Sequence, residues 1–342
     1  MITETINQLI TGKDLTQSEA AETMDEIMDG EATPSQISGF LVALRIKGET
    51  VEEIAGLATT MRQKALSVPI DGNKLIDTCG TGGDNSGSLN ISTAAALVAA
   101  GAGVSVAKHG NRSMTSSCGS ADVLEELGVS VDLGPEGVAR SIKESGMGFM
   151  FAQTFHPAMR YVAPIRRELG VRTVFNILGP LTNPAGAKAQ VLGVADPTLL
   201  EKMAQVLKLL GSHHALVIHG NDGLDEFSLS GPTMVAELKN GEVSTYSIDA
   251  HDYGLARAPN SALVGGNAQR NAALLLEVLQ GVPGPHRDAV IINAGAALLV
   301  SGTTTDLQQG INLAADVIDS GKARSSLDEL IRITQDARGR SD

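Results

Sequence analysis

The sequence predicts an α/β protein with a small all-helical N-terminal domain and a mixed central sheet. Three observations predict it. The first 67 residues repeat helix start and stop signals, the chain after Val68-Pro69 alternates short apolar runs with glycine loops, and Asn240-Gly241 separates two strand-like runs. In the helical part Thr16 to Glu19, Thr33 to Gln36 and Thr50 to Glu53 have the S/T-x-x-E/Q form, in which the two side chains satisfy backbone N–H groups left open at a helix start. Pro34 stands at a first helical position, and Gly12, Gly30 and Gly48 end the segments. The runs Leu75 to Asp77, Gly103 to Ala107, Val191 to Val194 and Ala215 to His219 read as strands feeding helices. The Asn-Gly pair between Thr233 to Leu238 and Glu242 to Ile248 is a strong hairpin signal and supplies the antiparallel piece. From Asn267 the period and capping are helical. The expected domains are therefore 1–69, helical, and 70–342, α/β.

Composition narrows the function. With 342 residues, 42% hydrophobic and 19% charged, the chain is long enough for about two globular domains. A net charge of -13 opposes nucleic acid and anionic membrane, so neither is an expected partner and any phosphate must be met locally. Cys79 and Cys118 lack CxxC spacing, which points to reduced cysteines and a cytoplasmic setting. The start MITETINQLI carries Glu4 and no basic region, so no secretory or transit signal is expected. Ala94 to Ala107 and Ala289 to Val300 fall short of the roughly 18 apolar residues that span a bilayer.

Four clusters carry chemistry. Asp77 to Thr93 is a glycine-rich turn between a strand and the apolar helix Ala94 to Ala100, a place where backbone N–H groups and the helix dipole favour phosphate. It fits neither common phosphate motif: Asn85 stands where a dinucleotide fingerprint needs glycine, and Ser88 where a P-loop needs lysine. A second strand runs through Lys108 into a loop with Asn111, Arg112 and many hydroxyls, and Ser120 is the expected cap of the helix Ala121 to Leu127. Ligands of open α/β sheets lie beyond the carboxyl ends of the strands, where both loops would meet. The third cluster, Asp225-Glu226 after the run Ala215 to Ile218, suits a hard divalent cation shared with substrate phosphates. The fourth, Phe149 to Gly170, places Phe149, Phe151 and Phe155 beside His156 and Arg166; it could wall an aromatic acid or simply pack in the core.

Seven motifs in order, Cys79-Gly-Thr-Gly-Gly-Asp84, Asn90-Ile-Ser-Thr93, Lys108-His-Gly-Asn-Arg-Ser113, Gly119-Ser-Ala-Asp122, Arg166-Arg-Glu-Leu-Gly170, Phe175 to Pro184 and Asp222-Gly-Leu-Asp-Glu226, resemble the anthranilate phosphoribosyltransferases. The likeness covers nearly the whole chain; Ser88-Leu89 stands where the family has Thr-Phe. It implies a nucleoside phosphorylase/phosphoribosyltransferase-like fold and transfer of the phosphoribosyl group of 5-phosphoribosyl 1-pyrophosphate (PRPP) to the amine of anthranilate, the second step of tryptophan synthesis from chorismate. By resemblance, Gly80, Gly83, Asp84, Ser88, Asn90, Ile91, Ser92 and Thr93 hold PRPP. Lys108, His109, Gly110, Asn111, Arg112, Ser113, Met114, Thr115 and Ser116 close over it, and Ser120 adds a contact. Gly80, Asn111 and Arg166 match the anthranilate positions, with His109 and His156 on the same wall, while Ser92, Asp225 and Glu226 match the positions for two magnesium ions. It also implies a homodimer, a segment near 165–184 returning to the helical domain, and no certain catalytic base, the transition state being stabilised by Lys108 and the metals. Two other readings share the fold: a pyrimidine nucleoside phosphorylase and a non-catalytic nucleic-acid-binding relative.

Overall fold

The structure, a computed structural model, describes residues 1–113 and 117–339. Four helices open the chain: α1 (Ile2–Ile10), α2 (Gln17–Met28), α3 (Pro34–Lys47) and α4 (Val51–Lys64). The last three begin with the reciprocal caps the sequence announces, at Thr16/Glu19, Thr33/Gln36 and Thr50/Glu53.

Seven strands follow: β1 (Leu75–Gly80), β2 (Ser105–Gly110), β3 (Met147–Phe151), β4 (Ala189–Gly193), β5 (His214–Gly220), β6 (Thr233–Lys239) and β7 (Glu242–Ile248). They form one sheet in the order β3-β2-β1-β4-β5-β6-β7. The five from β3 to β5 are parallel, and β6 and β7 add the antiparallel hairpin, turning at Asn240 (φ 52) and Gly241 (φ 80). In the parallel part the order runs outward in both directions from β1 and β4, so the topological switch point lies between those two strands.

Alternating side chains bury the two faces of the sheet in different cores. Ile76, Val106, Val191, Leu216 and Ile218 pack with α5 (Ile91–Gly101) and the helices after residue 267. Leu192, Val194, Ala215 and Val217 pack instead with the N-terminal helices and with residues 162–181. Leu75, Ala107, Met150 and Phe155 form a smaller cluster with the segments 133–142 and 185–187. The helix Pro285–Val300 is buried along nearly its whole length, and among the described residues no helix is long and apolar enough to cross a membrane.

Three sequence readings are sharpened or corrected. Met147–Phe151 is strand β3, and of the two readings open for Phe149, Phe151 and Phe155 core packing is the one their burial supports. The signal was hidden because β3, although it is the edge strand, is buried on both faces and shows no alternation. Strands β1 and β2 run on to Gly80 and Gly110, through Thr78 and Cys79 and through His109, where Lys108 donates to Thr78 O and His109 Nδ1 meets Gly179 O while His109 Nε2 has no partner among the described residues. Finally, Ser120 is the first residue of the helix Ser120–Glu126 rather than its cap; Asp122 Oδ2 accepts from Gly119 N at 2.8 Å and does the capping work.

Candidate active site

Strands β1, β2, β4 and β5 each end on a glycine, at Gly80, Gly110, Gly193 and Gly220. At all four an added Cβ would meet a neighbouring atom within 3.0 Å, and at two of them that atom belongs to Asp225. A Cβ on Gly193 would lie 1.6 Å from Asp225 O, and one on Gly80 would lie 2.3 Å from Asp225 Oδ2. The bare strand ends thus let the loop after β5 fold across the switch point and set Asp225 beside the glycine-rich turn, where Gly82 N donates to Asp225 Oδ2 at 2.9 Å. The neighbouring Glu226 accepts from Ser92 N, at the start of α5, at 3.1 Å. Enclosure raises the carboxyl pKa of both; the Asp84 charge adds to the rise at Asp225, and the Asp225 charge to that at Glu226.

The period-2 alternation of β1 and β2 divides the residues that follow. Thr78 and Lys108 share one face and Asp77 and His109 the other. On the first face the Lys108 ammonium is buried, donates to Thr78 O and reaches Ser92 Oγ at 3.3 Å. Burial pulls its pKa down, opposed by Asp77, Cys79 and Glu226. On the second face the Asp77 carboxylate is fully enclosed. It accepts from Asn183 Nδ2 at 2.7 Å and His109 N at 3.3 Å; burial raises its pKa and the Lys108 charge opposes the rise.

The second face is closed by the segment 179–183, whose consecutive carbonyls are each taken by a different element. His109 Nδ1 lies 3.2 Å from Gly179 O, Gln190 Nε2 donates to Pro180 O at 2.7 Å, and Arg62 Nε of α4 donates to Leu181 O at 2.6 Å. The His156 ring lies against the Thr182 backbone, and Asn183 joins Asp77 to Ala107 O. The rings of His109 and His156 are 5.0 Å apart. Burial lowers the pKa of His109 to about 3 and of His156 to about 4, so both are neutral near pH 7. Arg166, in the helix Ala163–Leu169, lies 5.5 Å over the Phe175 ring and, among the described residues, meets no carboxylate; burial lowers its pKa.

The remaining expected residues fall as follows. Gly83 is packed against Arg172, whose guanidinium lies 2.5 Å from where a Cβ would stand. Asp84 faces Asp225 and accepts from Ser86 N at 3.3 Å, and Ser88 pairs with Val264. Asn90 spends its amide on Cys118 O and Asn271, Ile91 is in the core, and Thr93 Oγ1 is buried without a partner. Gly110 lies against Ser120, whose Oγ bonds Asn111 O at 3.3 Å. Asn111 Oδ1 accepts from Arg112 N at 2.8 Å, and Ser113 N donates to Asp122 Oδ2 at 3.0 Å. The Arg112 guanidinium is committed to Glu125 and Asp122. Met114, Thr115 and Ser116 lie outside the described residues. Asp77, Thr78, Gln190 and Arg62 had no assigned role in the sequence; a charge inside the strand run Leu-Ile-Asp-Thr was the available signal for Asp77.

Among the described residues no three His, Cys, Asp or Glu side chains form a ready metal cage. A pair of crowded carboxylates with the Ser92 hydroxyl close by fits magnesium all the same, because that ion is usually held by one or two carboxylates together with substrate phosphates.

A helical bundle leading into a mixed sheet with this switch-point site defines a class. Residues 3–65 match the glycosyl transferase family helical bundle domain, and residues 72–324 match the same family's a/b domain. Within that class the chain belongs to the anthranilate phosphoribosyltransferase family. It is 55% identical to the anthranilate phosphoribosyltransferase of Chloroflexus aggregans over 98% of each chain. With that of Roseiflexus castenholzii it shares 54% identity over 97% of this chain and 98% of the relative. The crystal structure of the enzyme from Thermus thermophilus matches with a TM-score of 0.92 at 48% identity, over 97% of this chain and 99% of that one. The enzyme from Saccharomyces cerevisiae in complex with PRPP and Mg matches with a TM-score of 0.90 at 28% identity, over 98% of each chain.

Proposed function

We propose that the chain transfers the phosphoribosyl group of PRPP to the amine of anthranilate, releasing pyrophosphate. The observation that carries this reading is the sorting of the strand ends: a cation and metal-type carboxylates on the α5 face, and neutral histidines with an enclosed polar network on the other. PRPP lies along the glycine-rich turn, with its pyrophosphate toward Lys108, Ser92, Asp225 and Glu226. Those carboxylates and Ser92 would hold two magnesium ions, which would supply positive charge to the leaving pyrophosphate. Lys108 does the same from the protein side, and its burial strengthens the interaction.

Anthranilate enters between the sheet and the segment 162–182. Its carboxylate meets Arg166, whose planar fork suits two oxygens, and Asn111 completes the contact. The amine is a neutral nucleophile, so holding it in line with the ribose carbon matters more than a strong base. The helical unit, residues 1–69 with the returning segment 165–184, and the α/β unit close around both substrates and keep water from the activated sugar. Exposed Ile10, Val42 and Ile46 on α1 and α3 support a homodimer, and Cys79 and Cys118, which form no disulfide, suit a cytoplasmic setting. The Asp225-Glu226 pair and the close curated relatives favour this reading over a nucleoside phosphorylase or a nucleic-acid-binding relative.

The test is the fluorescence of anthranilate mixed with the protein, PRPP and magnesium, with and without EDTA. Fluorescence should fall only when every component is present. A flat trace from folded protein would contradict the assignment.

A further inference from the structure

The helix Ala268–Leu279 carries a buried asparagine that lies outside the motifs marking the substrate loops. Asn271 is 1% exposed, and its amide is used on both sides. Its Oδ1 accepts from Gly266 N at 2.7 Å, and its Nδ2 donates to Asn90 Oδ1 at 2.9 Å, across 181 residues of sequence. Asn90 Nδ2 donates in turn to Cys118 O at 3.2 Å. These groups form one relay of hydrogen bonds, running from the segment 263–266 through the glycine-rich turn to the loop after β2. A backbone N–H begins it and a carbonyl ends it, so neither amide can turn over without setting two donors or two acceptors face to face. Around the relay, the segment 263–266 is pinned to both loops. Leu89 N donates to Leu263 O at 3.0 Å, Gly265 N to Gly87 O at 2.8 Å, and Ser117 Oγ to Gly266 O at 2.8 Å.

The relay has a consequence at the start of α5. Asn90 is the residue before that helix, where an asparagine oxygen ordinarily accepts from the N–H of the second or third helical residue. Here its side chain makes no such bond, because Asn271 holds the oxygen. The N–H of the second residue, Ser92, is left for Glu226 Oε1, at 3.1 Å. Without the Asn271 donor, the Asn90 oxygen would stand unpaired in an enclosed place, which is costly. The end of its own helix then offers it a replacement, in competition with Glu226.

We propose that Asn271 is a positioning residue for the phosphoribosyl donor. It turns Asn90 away from the end of α5, keeps the Ser92 N–H for Glu226, and holds the glycine-rich turn in register with the loop after β2. This rests on the reading of the chain as a phosphoribosyltransferase and adds to it a residue that touches neither substrate.

The experiment is made on the full chain. Asn271→Leu keeps the branched shape and removes the donor. It should raise the KM for PRPP about 10-fold, the worth of one buried hydrogen bond, and leave the KM for anthranilate within about 2-fold. Calorimetry with PRPP and magnesium, and no anthranilate, should show binding weakened by the same factor. In an Asn90→Ala background, where no side chain remains to be turned, Asn271→Leu should change the KM for PRPP by less than about 2-fold. Gly265→Ala is a second route, because it leaves both amides in place and sets a Cβ 2.2 Å from Asn271 Oδ1; it should give the same split between the two KM values. An unchanged KM for PRPP, equal rises in both KM values, losses that add in the double variant, or loss of folding in both single variants would overturn the inference and leave the enzyme assignment standing. An unmodified chain that folds and transfers nothing would overturn the assignment itself.

Discussion

Asp77 shows how one residue ties the two faces of the site together. Its carboxylate sits in an apolar strand, holds the backbone of His109 and the amide of Asn183, and balances the charge of Lys108. The glycine-rich run beginning at Asp77 was plain in the sequence, but its partners lie 32 and 106 residues away, and no spacing rule spans such distances. The histidines lead to a measurable prediction at this scale. A buried histidine whose pKa falls from 6.5 to about 4, as for His156, binds fewer protons folded than unfolded between those values. Its contribution to stability is complete above pH 6.5 and is lost as the pH falls toward 4. The raised pKa values of Asp77, Asp225 and Glu226 act in the opposite sense, so the difference between two proteins is the useful quantity. In urea titrations from pH 7 to pH 4.5, His156→Asn should lose less stability than the parent, with slopes differing by up to about 1.4 kcal/mol per pH unit. Parallel slopes would show that His156 is not held neutral.

At the scale of elements, the strands end where the chemistry begins. Gly193 and Gly80 carry no side chain because the Asp225 loop occupies the space one would need. Gly193→Ala should therefore displace Asp225, cost about 1–3 kcal/mol of stability and raise the magnesium concentration needed for half-maximal turnover. Gly231, where a Cβ would have nothing within 4 Å, is the control, and Gly231→Ala should leave both measurements near the parent values. Equal behaviour of the two variants would contradict the close-approach argument. Elements with a local cause were legible in the sequence: the reciprocal caps of α2, α3 and α4, and the hairpin at Asn240-Gly241. Elements defined by their neighbours were not. Strand β3 is buried on both faces, and the tips of β1 and β2 are polar because the interior supplies their partners.

Across the whole molecule, the sheet separates two cores and also sorts two kinds of chemistry. One face, with α5, gathers Lys108, Ser92 and the carboxylates; the other, under residues 179–183, gathers Asp77, His109 and His156. Arg62 links that second face to the helical bundle through Leu181 O and Leu210 O, and its burial lowers its pKa to about 10. The sequence made each cluster visible, but Asp225-Glu226 alone was a weak signal, and only the switch point brings that pair to Ser92 and Gly80. The central claim is that donor and acceptor substrates occupy different faces of the strand ends. It is tested most directly by steady-state kinetics of Arg166→Ala with each substrate varied in turn. The KM for anthranilate should rise by the equivalent of about 1.5–3 kcal/mol, the value of a charge-assisted contact, while the KM for PRPP stays nearly constant. An equal rise in both constants would contradict the division of the site.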